Sequence, residues 1–460
     1  MNKLVVKLKQ HTPLIHFQHS QEGATLRASE VKPKLDKYII KKVFDDDWDK
    51  CKEYIIGYKK SKKEDDKEKK EDEIKLNRDL EQKFKEEEYR ALNYKMRIET
   101  KNSNGEILNK IPMYFASMGK NEKKGIVYNT NNPTYLFFVI DETLWNEMKN
   151  SIAEFFIVTN FGTRQSKGYG SFYIDKKDPL YQCPDKFLRS GKLSHIQTKV
   201  CTKCKDWVKT QEVVDVFYKT LRSGINVCAK ICSCKELTNE CKTIKKSNVN
   251  IVVDYKQSEH CCKKNCNHYI KNGSIFYFKS ALYYYVNYKL KKQWDKKTIK
   301  EALYEGKCGK NELFRDLLGL APETIIRKYK IKKESKKEIV RYKSPIFIKP
   351  IQDDNNIFTF YVGFEDIDSN MLGTDFNINK IDGNISSKLL ELKTPSDFKM
   401  DDYFKYLFEG CNFTIDKMVG NKVIKNQKTN EVVKPDSKQH EYYELLKDIY
   451  DQLRHNYIKP

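Results

Sequence analysis

The stretch that most constrains this chain is the loop at residues 161–172, which reads FGTRQSKGYGSF. Its three glycines permit backbone dihedrals with φ > 0 and the close approach of another backbone. Backbone N–H groups beside the guanidinium of Arg164 and the ammonium of Lys167 form a binding place for anions such as phosphates. The alternative is a tight helix-to-strand turn with solvated charges. The predicted phosphate-binding residues are Gly162, Thr163, Arg164, Gln165, Ser166, Lys167, Gly168, Tyr169 and Gly170.

The charge balance favours a polyanionic partner. The 460 residues include 87 Lys and Arg against 64 Asp and Glu, which gives a formal net charge of +23. A lysine-rich compositional bias would raise Lys and Glu together, so this excess indicates a basic surface. A membrane is the other polyanionic surface, but no apolar run of about eighteen residues occurs and no signal peptide opens the chain. We therefore expect a soluble, cytoplasmic protein with no membrane partner.

Apolar periodicity predicts an α+β fold in the first part of the chain. Pro33 is expected to interrupt the first helix, and Asp141 is a candidate N-cap for the second. The predicted elements in order are a strand (3–9), a helix (27–40), a hairpin (94–100 and 106–115), a strand (134–140), a helix (141–156) and a strand (171–174).

Further elements follow downstream. A helix at 310–318 should end at Gly319, and two strands at 346–350 and 357–364 should join the first sheet or form a second one. Residues 403–408 and 442–453 have helical spacing. The mixed Lys, Glu and Asp of residues 59–88 predict a solvated helix with i,i+4 pairs or a disordered insertion, rather than a binding surface.

Cysteine usage points to a metal site. Thirteen cysteines without a secretory signal argue against a disulfide framework, and ten of them crowd into residues 183–266. A C-x2-C pair wraps one metal ion, and sulfur with nitrogen ligands suits structural zinc, which would stabilise a lysine-rich insertion. The predicted ligands are Cys201, Cys204, Cys262, Cys266 and His268. Other candidates are Cys228, Cys232 and Cys234, and the alternative is free thiols.

Three stretches carry a family resemblance. The pattern G-x-R-x-x-x-G-x-G before a final strand resembles the glycine-rich loop of the RAMP superfamily, the RNA-binding proteins of CRISPR effector complexes. Residues 11–17 (HTPLIHF) and 22–27 (EGATLR) are similar to the opening of subunits from type III, Cmr-type complexes. Residues 341–350 (RYKSPIFIKP) and the LGL at 318–320 are similar to later segments of the same proteins, in the same order.

The resemblance implies a decorated ferredoxin-like (RRM-like) RAMP fold. Cysteine usage adds a cysteine-rich, zinc-binding insertion to this prediction, and helical spacing adds a helical C-terminal extension. It implies a non-catalytic subunit that binds guide RNA, or the guide–target duplex, through backbone contacts in antiviral defence. The expected partners are guide RNA, target RNA and other effector subunits. The glycine loop would hold phosphates, and the segment near the N-terminus would lie against the RNA through His16, His19, Arg27 and Lys32.

Other roles stay open. A metal-independent crRNA-processing endoribonuclease would use His11, His16 or His19 as general base. Target cleavage would need an acidic residue such as Asp36 or one of the aspartates at 45–47, although a solvated acidic face is preferred. A RAMP-fold accessory protein would act through protein partners. A ring at Phe161 or Tyr169 is a candidate for stacking on a base, whereas Phe172 is expected in the core.

We expect four segments in the chain. The predicted segments are a ferredoxin-like unit at 1–175 with a charged insertion at about 45–92, a cysteine-rich insertion at 176–272, a second half of the core or a second sheet at 273–370, and a mainly helical extension at 371–460.

Overall fold

The fold is described from a computed structural model, which covers residues 2–16, 25–60, 67–100, 106–107, 125–128, 133–189, 195–232, 270–306, 312–326, 329–383, 385–409, 413–421 and 437–457. The strands in these residues are β1 (Asn2–Gln10), β2 (Leu14–His16), β3 (Lys95–Thr100), β4 (Glu106–Ile107), β5 (Gly125–Tyr128), β6 (Thr134–Ile140), β7 (Phe172–Ile174), β8 (His195–Cys201), β9 (Ile225–Cys232), β10 (Ile270–Phe278), β11 (Glu323–Ile326), β12 (Tyr329–Ser335), β13 (Ile346–Gln352), β14 (Phe358–Phe364), β15 (Asp375–Asp382), β16 (Ile385–Lys393) and β17 (Val419–Asn421).

The α-helices in the same residues are α1 (Ala28–Val43), α2 (Trp48–Cys51), α3 (Lys67–Lys85), α4 (Glu142–Val158), α5 (Trp207–Arg222), α6 (Ala281–Tyr284), α7 (Asp295–Glu305), α8 (Phe314–Leu317), α9 (Met400–Phe408), α10 (Ile415–Met418) and α11 (Ser437–Asn456). Within the described residues, no helix has the length and apolar character needed to cross a membrane. Strands pair antiparallel throughout the sheets, so the fold is α+β as predicted.

The chain divides into two units that are each discontinuous in sequence. The first comprises Met1–Gln211, Ile346–Glu365 and Ile458–Pro460, and the second comprises Glu212–Pro345 and Asp366–Tyr457. The two apolar strands β13 and β14, which the sequence could assign to either of two sheets, therefore belong with the N-terminal part of the chain.

The first unit is organised by a four-stranded sheet in the order β3-β6-β1-β7. Alternation along β1 directs Leu4, Val6 and Leu8 to one face, where they are buried. Helices α1 and α4 pack on that sheet and against each other, and they share one hydrophobic core with it. The predicted strands at 3–9, 134–140 and 171–174 and the predicted helices at 27–40 and 141–156 agree with the structure. The predicted hairpin of 94–100 with 106–115 is wrong, because β3 pairs with β6 in this sheet whereas β4 pairs with β5 in another sheet.

The two core helices form for the reasons that the sequence indicated, with one difference. In α4 the Asp141 side chain caps the first turn by accepting a hydrogen bond from the Glu142 amide at 2.6 Å. In α1 the helix continues through Pro33, so the expected interruption does not occur. Burial of Val31 and Leu35 on the core side offsets the backbone hydrogen bond that Pro33 cannot make.

Two smaller sheets complete the first unit. Strands β13, β14 and β8 form one, and β2, β5 and β4 form the other. The charged segment forms the exposed helix α3 over its described part, with an i,i+4 ion pair between Glu81 and Lys85. Phe84 of this helix is buried against Trp48, with ring centroids 5.4 Å apart. Packing of one aromatic ring thus tethers an otherwise solvated helix.

The second unit contains the sheets β11-β12-β15-β16 and β17-β10-β9. The predicted helices at 403–408 and 442–453 are present as α9 and α11. They meet at Tyr450, whose ring lies 5.7 Å from that of Phe217 on α5 and whose hydroxyl hydrogen-bonds Thr220 at 3.0 Å. The segment from 371 is not purely helical, because the hairpin β15–β16 occupies its first part. The helix predicted at 310–318 shortens to the single turn α8 before Gly319.

A buried ion pair fixes α8 against the sheet of the second unit. Lys333 on β12 donates to Asp316 on α8 at 2.5 Å, and the two side chains are 1% and 0% exposed. Burial lowers the pKa of Lys333, whereas the nearby carboxylate of Asp316 stabilises the charged ammonium of Lys333 and opposes this shift. Asp295 lies nearby, fully buried, and accepts from the amide of Arg315 at 3.3 Å. Arg222 lies 4.0 Å from the other carboxylate oxygen of Asp316, so removing Lys333 would leave this buried carboxylate with only a more distant cation.

We predict that Lys333→Met lowers the free energy of unfolding by about 3 kcal/mol or more, because Asp316 loses its buried partner. The double variant Lys333→Met with Asp316→Leu should recover most of this loss. The exposed pair Lys336–Glu391 supplies the control, and Lys336→Met should leave the unfolding free energy close to that of the wild type. Urea unfolding of the full chain measures all three, and equal effects of Lys333→Met and Lys336→Met would contradict the prediction.

Candidate functional site

The glycine loop between α4 and β7 turns in a crowded space. Gly162, Gly168 and Gly170 have φ of 72°, 82° and 67°, in the left-handed region. A Cβ atom added to Gly170 would lie 1.9 Å from the carbonyl oxygen of Phe161, and one added to Gly168 would lie 2.6 Å from Cγ of Pro350. Glycine is therefore required at both positions for steric reasons as well as for its dihedral freedom.

Residues 12–15 hold the loop from the N-terminal side. The amide of Thr163 donates to the carbonyl of Ile15 at 2.9 Å, and the amide of Gly170 donates to the carbonyl of Pro13 at 2.8 Å. The Thr12 hydroxyl donates to the Gly168 carbonyl at 2.6 Å and accepts from the amide after Gly170 at 2.9 Å. One buried hydroxyl thus connects both ends of the second half of the loop.

Residues 348–350 hold the loop from another side. Ser171 donates from its hydroxyl to the Pro350 carbonyl at 2.6 Å, and Asn160 donates from its amide to the Ile348 carbonyl at 2.8 Å. The ammonium of Lys349 is fully buried and donates to the carbonyls of Thr159 at 2.7 Å and Phe172 at 2.8 Å. Burial, followed by the charge of Lys34, holds the pKa of Lys349 well below its usual value.

The three sequence stretches that carried the resemblance therefore meet in space. Residues 11–16, the loop 161–171 and residues 346–350 lie more than 140 positions apart in the chain, and their hydrogen bonds converge on the loop. Each stretch contributes contacts that hold the loop, which explains why Thr12, Gly168 and Pro350 occur together in one sequence.

Several backbone amides of the loop are not available to bind an anion, contrary to the prediction from the sequence. The amide of Gly162 donates to the Glu30 carboxylate, and those of Thr163 and Gly170 donate to carbonyls of residues 15 and 13. The amides of Lys167 and Gly168 donate within the loop, at 2.9 and 3.1 Å. These five N–H groups already have acceptors, so an anion at this loop would depend mainly on side chains.

Two half-buried cations remain on the loop. Arg164 adopts a left-handed backbone with φ of 59°, and its guanidinium lies 5.9 Å from the ring centre of Tyr169. Lys167 is fixed through its backbone carbonyl, which accepts from Gln211 at 2.9 Å. Sequence reasoning missed Lys34, which donates to the Asn160 carbonyl at 3.0 Å and to the Gln165 side chain at 3.1 Å. Its spacing of four from Glu30 was the available signal.

The aromatic residues of the loop do not present their faces. Phe161 and Phe172 are 0% exposed and Tyr169 is 2% exposed. The prediction for Phe172 as a core residue is confirmed, whereas the idea that Phe161 or Tyr169 stacks on a base is wrong in this conformation. Both rings complete the core beneath the loop.

The other residues assigned to the RNA path have different environments. Lys32 donates to Asp36 at 2.7 Å and to the Leu92 carbonyl at 2.8 Å, and its ammonium lies 3.8 Å from the ring centre of Tyr94, so it is engaged internally. Arg27 is the half-buried N-cap residue of α1. His16 ends β2, and His19 lies outside the described residues.

His11 is a poor general base in this structure. It is 3% exposed, and its Nδ1 accepts a hydrogen bond from the amide of Gln352 at 3.0 Å. Burial and the nearby charges of Lys9 and Lys349 hold its pKa well below the usual value, so the ring is neutral. A neutral ring that accepts through Nδ1 carries its proton on Nε2 and has no lone pair left for proton abstraction.

Of the aspartates considered for metal-dependent cleavage, the three at 45–47 are exposed, as the preferred solvated face predicts, and only Asp36 is buried. Asp36 is 2% exposed, contrary to the expected solvated face, and burial raises its pKa against the opposing charge of Lys32. Asp45 and Asp46 form ion pairs with Lys50 and Arg90. The side chain of the third aspartate, at 47, accepts from the Asp49 amide at the start of α2.

Only one half of the predicted zinc site can be located. Cys201 ends β8 and is exposed, and Cys204 is half-buried with its Sγ 3.4 Å from the Thr202 carbonyl. Cys262, Cys266 and His268 lie outside the described residues. Among the residues that are described, no cluster of three or more His, Cys, Asp or Glu side chains could hold a metal ion.

The face of the first sheet opposite the helices is basic and aromatic. Tyr135 and Phe137 alternate along β6 on this face with ring centroids 6.4 Å apart, and the Arg97 guanidinium lies 4.9 Å from the centre of the Phe137 ring. Lys3 and Lys95 both pair in register with Val139 and are exposed. These residues could not be singled out from the sequence, because they share a face only through the register of three strands.

We predict that Thr12→Val destabilises the protein by about 1–3 kcal/mol, because the Gly168 carbonyl and the Ser171 amide both lose a buried partner. Thr12→Ser keeps the hydroxyl and should cost clearly less. Urea unfolding gives the energies, and hydrogen exchange of the amides at 168–171 should accelerate in the valine variant alone. Identical exchange in both variants would show that the hydroxyl does not hold the loop.

Two family models match this chain. The model of the Cmr1 N-terminal domain matches residues 1–225, and the model of the Cmr1 C-terminal domain matches residues 277–431. A search of curated proteins gives no match. The matched ranges contain all three converging stretches and together span well over half of the sequence. The chain therefore belongs to the Cmr1 family of the RAMP superfamily, whose members are subunits of the type III CRISPR Cmr effector complex.

Proposed function

We propose that this subunit binds guide RNA, or the guide–target duplex, through phosphate contacts at the glycine loop without reading base sequence. The observation that carries the proposal is the loop itself, which presents Arg164 and Lys167 on a backbone clamped by residues 12–15 and 348–350. Fixed cations lose little conformational freedom on binding, so they favour a partner with regularly spaced negative charges.

The sheet supports the same proposal. Its order β3-β6-β1-β7, with α1 and α4 on one face, matches the strand order of a ferredoxin-like unit, and we infer that the first unit is a decorated version of that fold. The other face offers Tyr135 and Phe137 beside Arg97, a combination that suits single-stranded RNA because rings stack on bases and cations contact phosphates.

The net charge of +23 supplies a long-range attraction for such a partner. The environment of His11 argues against its use as the base of a processing ribonuclease, whereas the side chains of His16 and His19 lie outside the described residues. We prefer a binding role because of the basic loop and the net charge. Membership of a multi-subunit complex implies neighbouring protein subunits, which the proposal includes as partners.

We expect Arg164→Ala with Lys167→Ala to weaken RNA binding and to flatten the slope of log affinity against log salt by about one to two units, because two phosphate contacts are lost. Alanine retains a Cβ, so the left-handed backbone at 164 is strained no more than in the wild type. Fluorescence anisotropy with a labelled guide RNA, measured across a salt series, gives both quantities.

The matched control removes two lysines from the exposed helix α3. Lys75→Ala with Lys83→Ala changes the net charge by the same amount, and we expect the slope to change by less than half a unit, on the order of a remote charge effect. Arg164→Lys with Lys167→Arg should retain the wild-type slope. If the α3 variant and the loop variant lose affinity equally, the loop is not the RNA site.

We also propose that the chain binds a structural zinc ion. Cys201 is exposed and Cys204 is half-buried, and Lys203 between them has a left-handed backbone with φ of 57°. Cys262, Cys266 and His268 would complete the site. We expect about one zinc per chain in the purified protein, reduced in Cys201→Ser with Cys204→Ser, with elemental analysis as the measurement.

A further inference from the structure

A basic cleft lies in the first unit beside the point where β1 runs into the residues that hold the glycine loop. Its volume is about 290 Å³. It is lined by β1, by the turn after β7 and by the hairpin between β13 and β14. The charged side chains on its walls are Asp175, Asp354, Lys7, Lys9, Lys176 and Lys177.

The charges in this cleft do not balance. Lys7 pairs with Asp175 at 3.4 Å, and Lys176 pairs with Asp354 at 2.6 Å. Lys9 and Lys177 have no carboxylate within 4.0 Å in the described part of the chain. Four ammonium groups against two carboxylates leave the cleft with two positive charges.

The walls are fixed in place. The Asp175 amide donates to the Lys7 carbonyl at 2.8 Å, and the Lys7 amide donates to the Asp178 carboxylate at 2.7 Å, which ties the turn to β1. The Tyr173 hydroxyl donates to the Gln182 carbonyl at 2.7 Å. Tyr181 packs edge-on against Tyr173 with centroids 6.0 Å apart and is only half-buried. The cleft therefore has a preorganised aromatic wall beside its cations.

The neighbouring histidine adds no charge. His11 lines the cleft, and its Nδ1 is occupied by the Gln352 amide at 3.0 Å. Its ring is neutral because it is buried and lies near Lys9 and Lys349. The positive charge of the cleft at neutral pH is thus that of the two unpaired lysines.

We propose that this cleft binds a nucleotide through a terminal phosphate monoester. A phosphate monoester carries nearly two negative charges at pH 7, which matches Lys9 and Lys177, whereas each internal phosphodiester of RNA carries one. The volume lies near the lower end for small-molecule pockets, about 300 Å³, a size that suits one nucleotide. The half-exposed Tyr181 ring provides a surface for the base.

Two sources share this chemistry, a free mononucleotide and the phosphorylated end of an RNA. The RNA source rests on the proposed function, and the mononucleotide source does not. The cleft is separate from Arg164 and Lys167, so the two sites are tested independently.

The first experiment titrates the full-length chain with adenosine 5′-monophosphate and with adenosine by calorimetry. The second compares short RNAs that carry a phosphate or a hydroxyl at each end. The phosphate should increase the binding affinity of the wild type. Lys9→Gln with Lys177→Gln should reduce this increase by at least about tenfold, because two charge-assisted contacts are lost. The control Lys75→Gln with Lys83→Gln removes two exposed lysines from helix α3, neither of which lines the cleft, and should keep that increase.

Each outcome decides the proposal. Binding of the mononucleotide, or a preference for phosphorylated RNA ends, supports it when the cleft variant loses the effect and the control retains it, and the stronger ligand identifies the source. Absence of any phosphate preference in the wild type, or its survival in the cleft variant, overturns it. Lys177→Gln alone, at an exposed turn, replaces the double variant if circular dichroism shows that the latter does not fold. If the variant with Arg164→Ala and Lys167→Ala keeps the preference for a phosphate, the cleft binds phosphate independently of the glycine loop.

Discussion

The closure of the glycine loop onto residues 12–15 and 348–350 is the constraint on which the functional part of the first unit depends. Gly170 lies so close to the Phe161 carbonyl that no side chain fits, and the Thr12 hydroxyl links the Gly168 carbonyl to the amide that follows the last glycine. These contacts join segments that are far apart in the chain. The loop therefore takes its shape only when the first sheet and the strand pair β13–β14 are both in place.

The same closure changes what the loop can bind. A glycine-rich loop usually suggests free amides for a phosphate, but five of the amides here donate to acceptors of the protein itself. These five amides are engaged, so the proposed binding depends mainly on the side chains of Arg164 and Lys167. A loop of this kind is rigid before any ligand arrives, so it suits a subunit that holds a polyanion by its backbone rather than one that closes around a small ligand.

Buried lysines recur as fixed structural points in both units. In the first unit Lys349 donates to two carbonyls at the ends of α4 and β7, and in the second unit Lys333 is paired with Asp316. A large excess of lysine in the composition therefore does not convert directly into surface charge. Lys32 makes the same point, because its bonds to Asp36 and Leu92 remove it from the surface that the resemblance assigned to it.

The sequence by itself determined the local elements of the first unit and the importance of the loop. Alternation marked β1 and β6, helical spacing and Asp141 marked α4, and the three glycines marked the turn, because these signals depend on neighbours within a few residues. The cation pair at 164 and 167 was found for the same reason. The family was also indicated correctly from three short stretches.

Only the tertiary structure decided how these parts act together. The acceptors of the Gly162, Thr163 and Gly170 amides, the burial of Asp36 and Tyr169, and the assignment of β13 and β14 to the first unit depend on contacts between distant segments. The basic face with Arg97 and Phe137 required the strand register, and the cleft at Lys9 and Lys177 required the turn after β7 to be tied to β1. Periodicity cannot supply these features, since it records which side of an element is buried but not which element covers it.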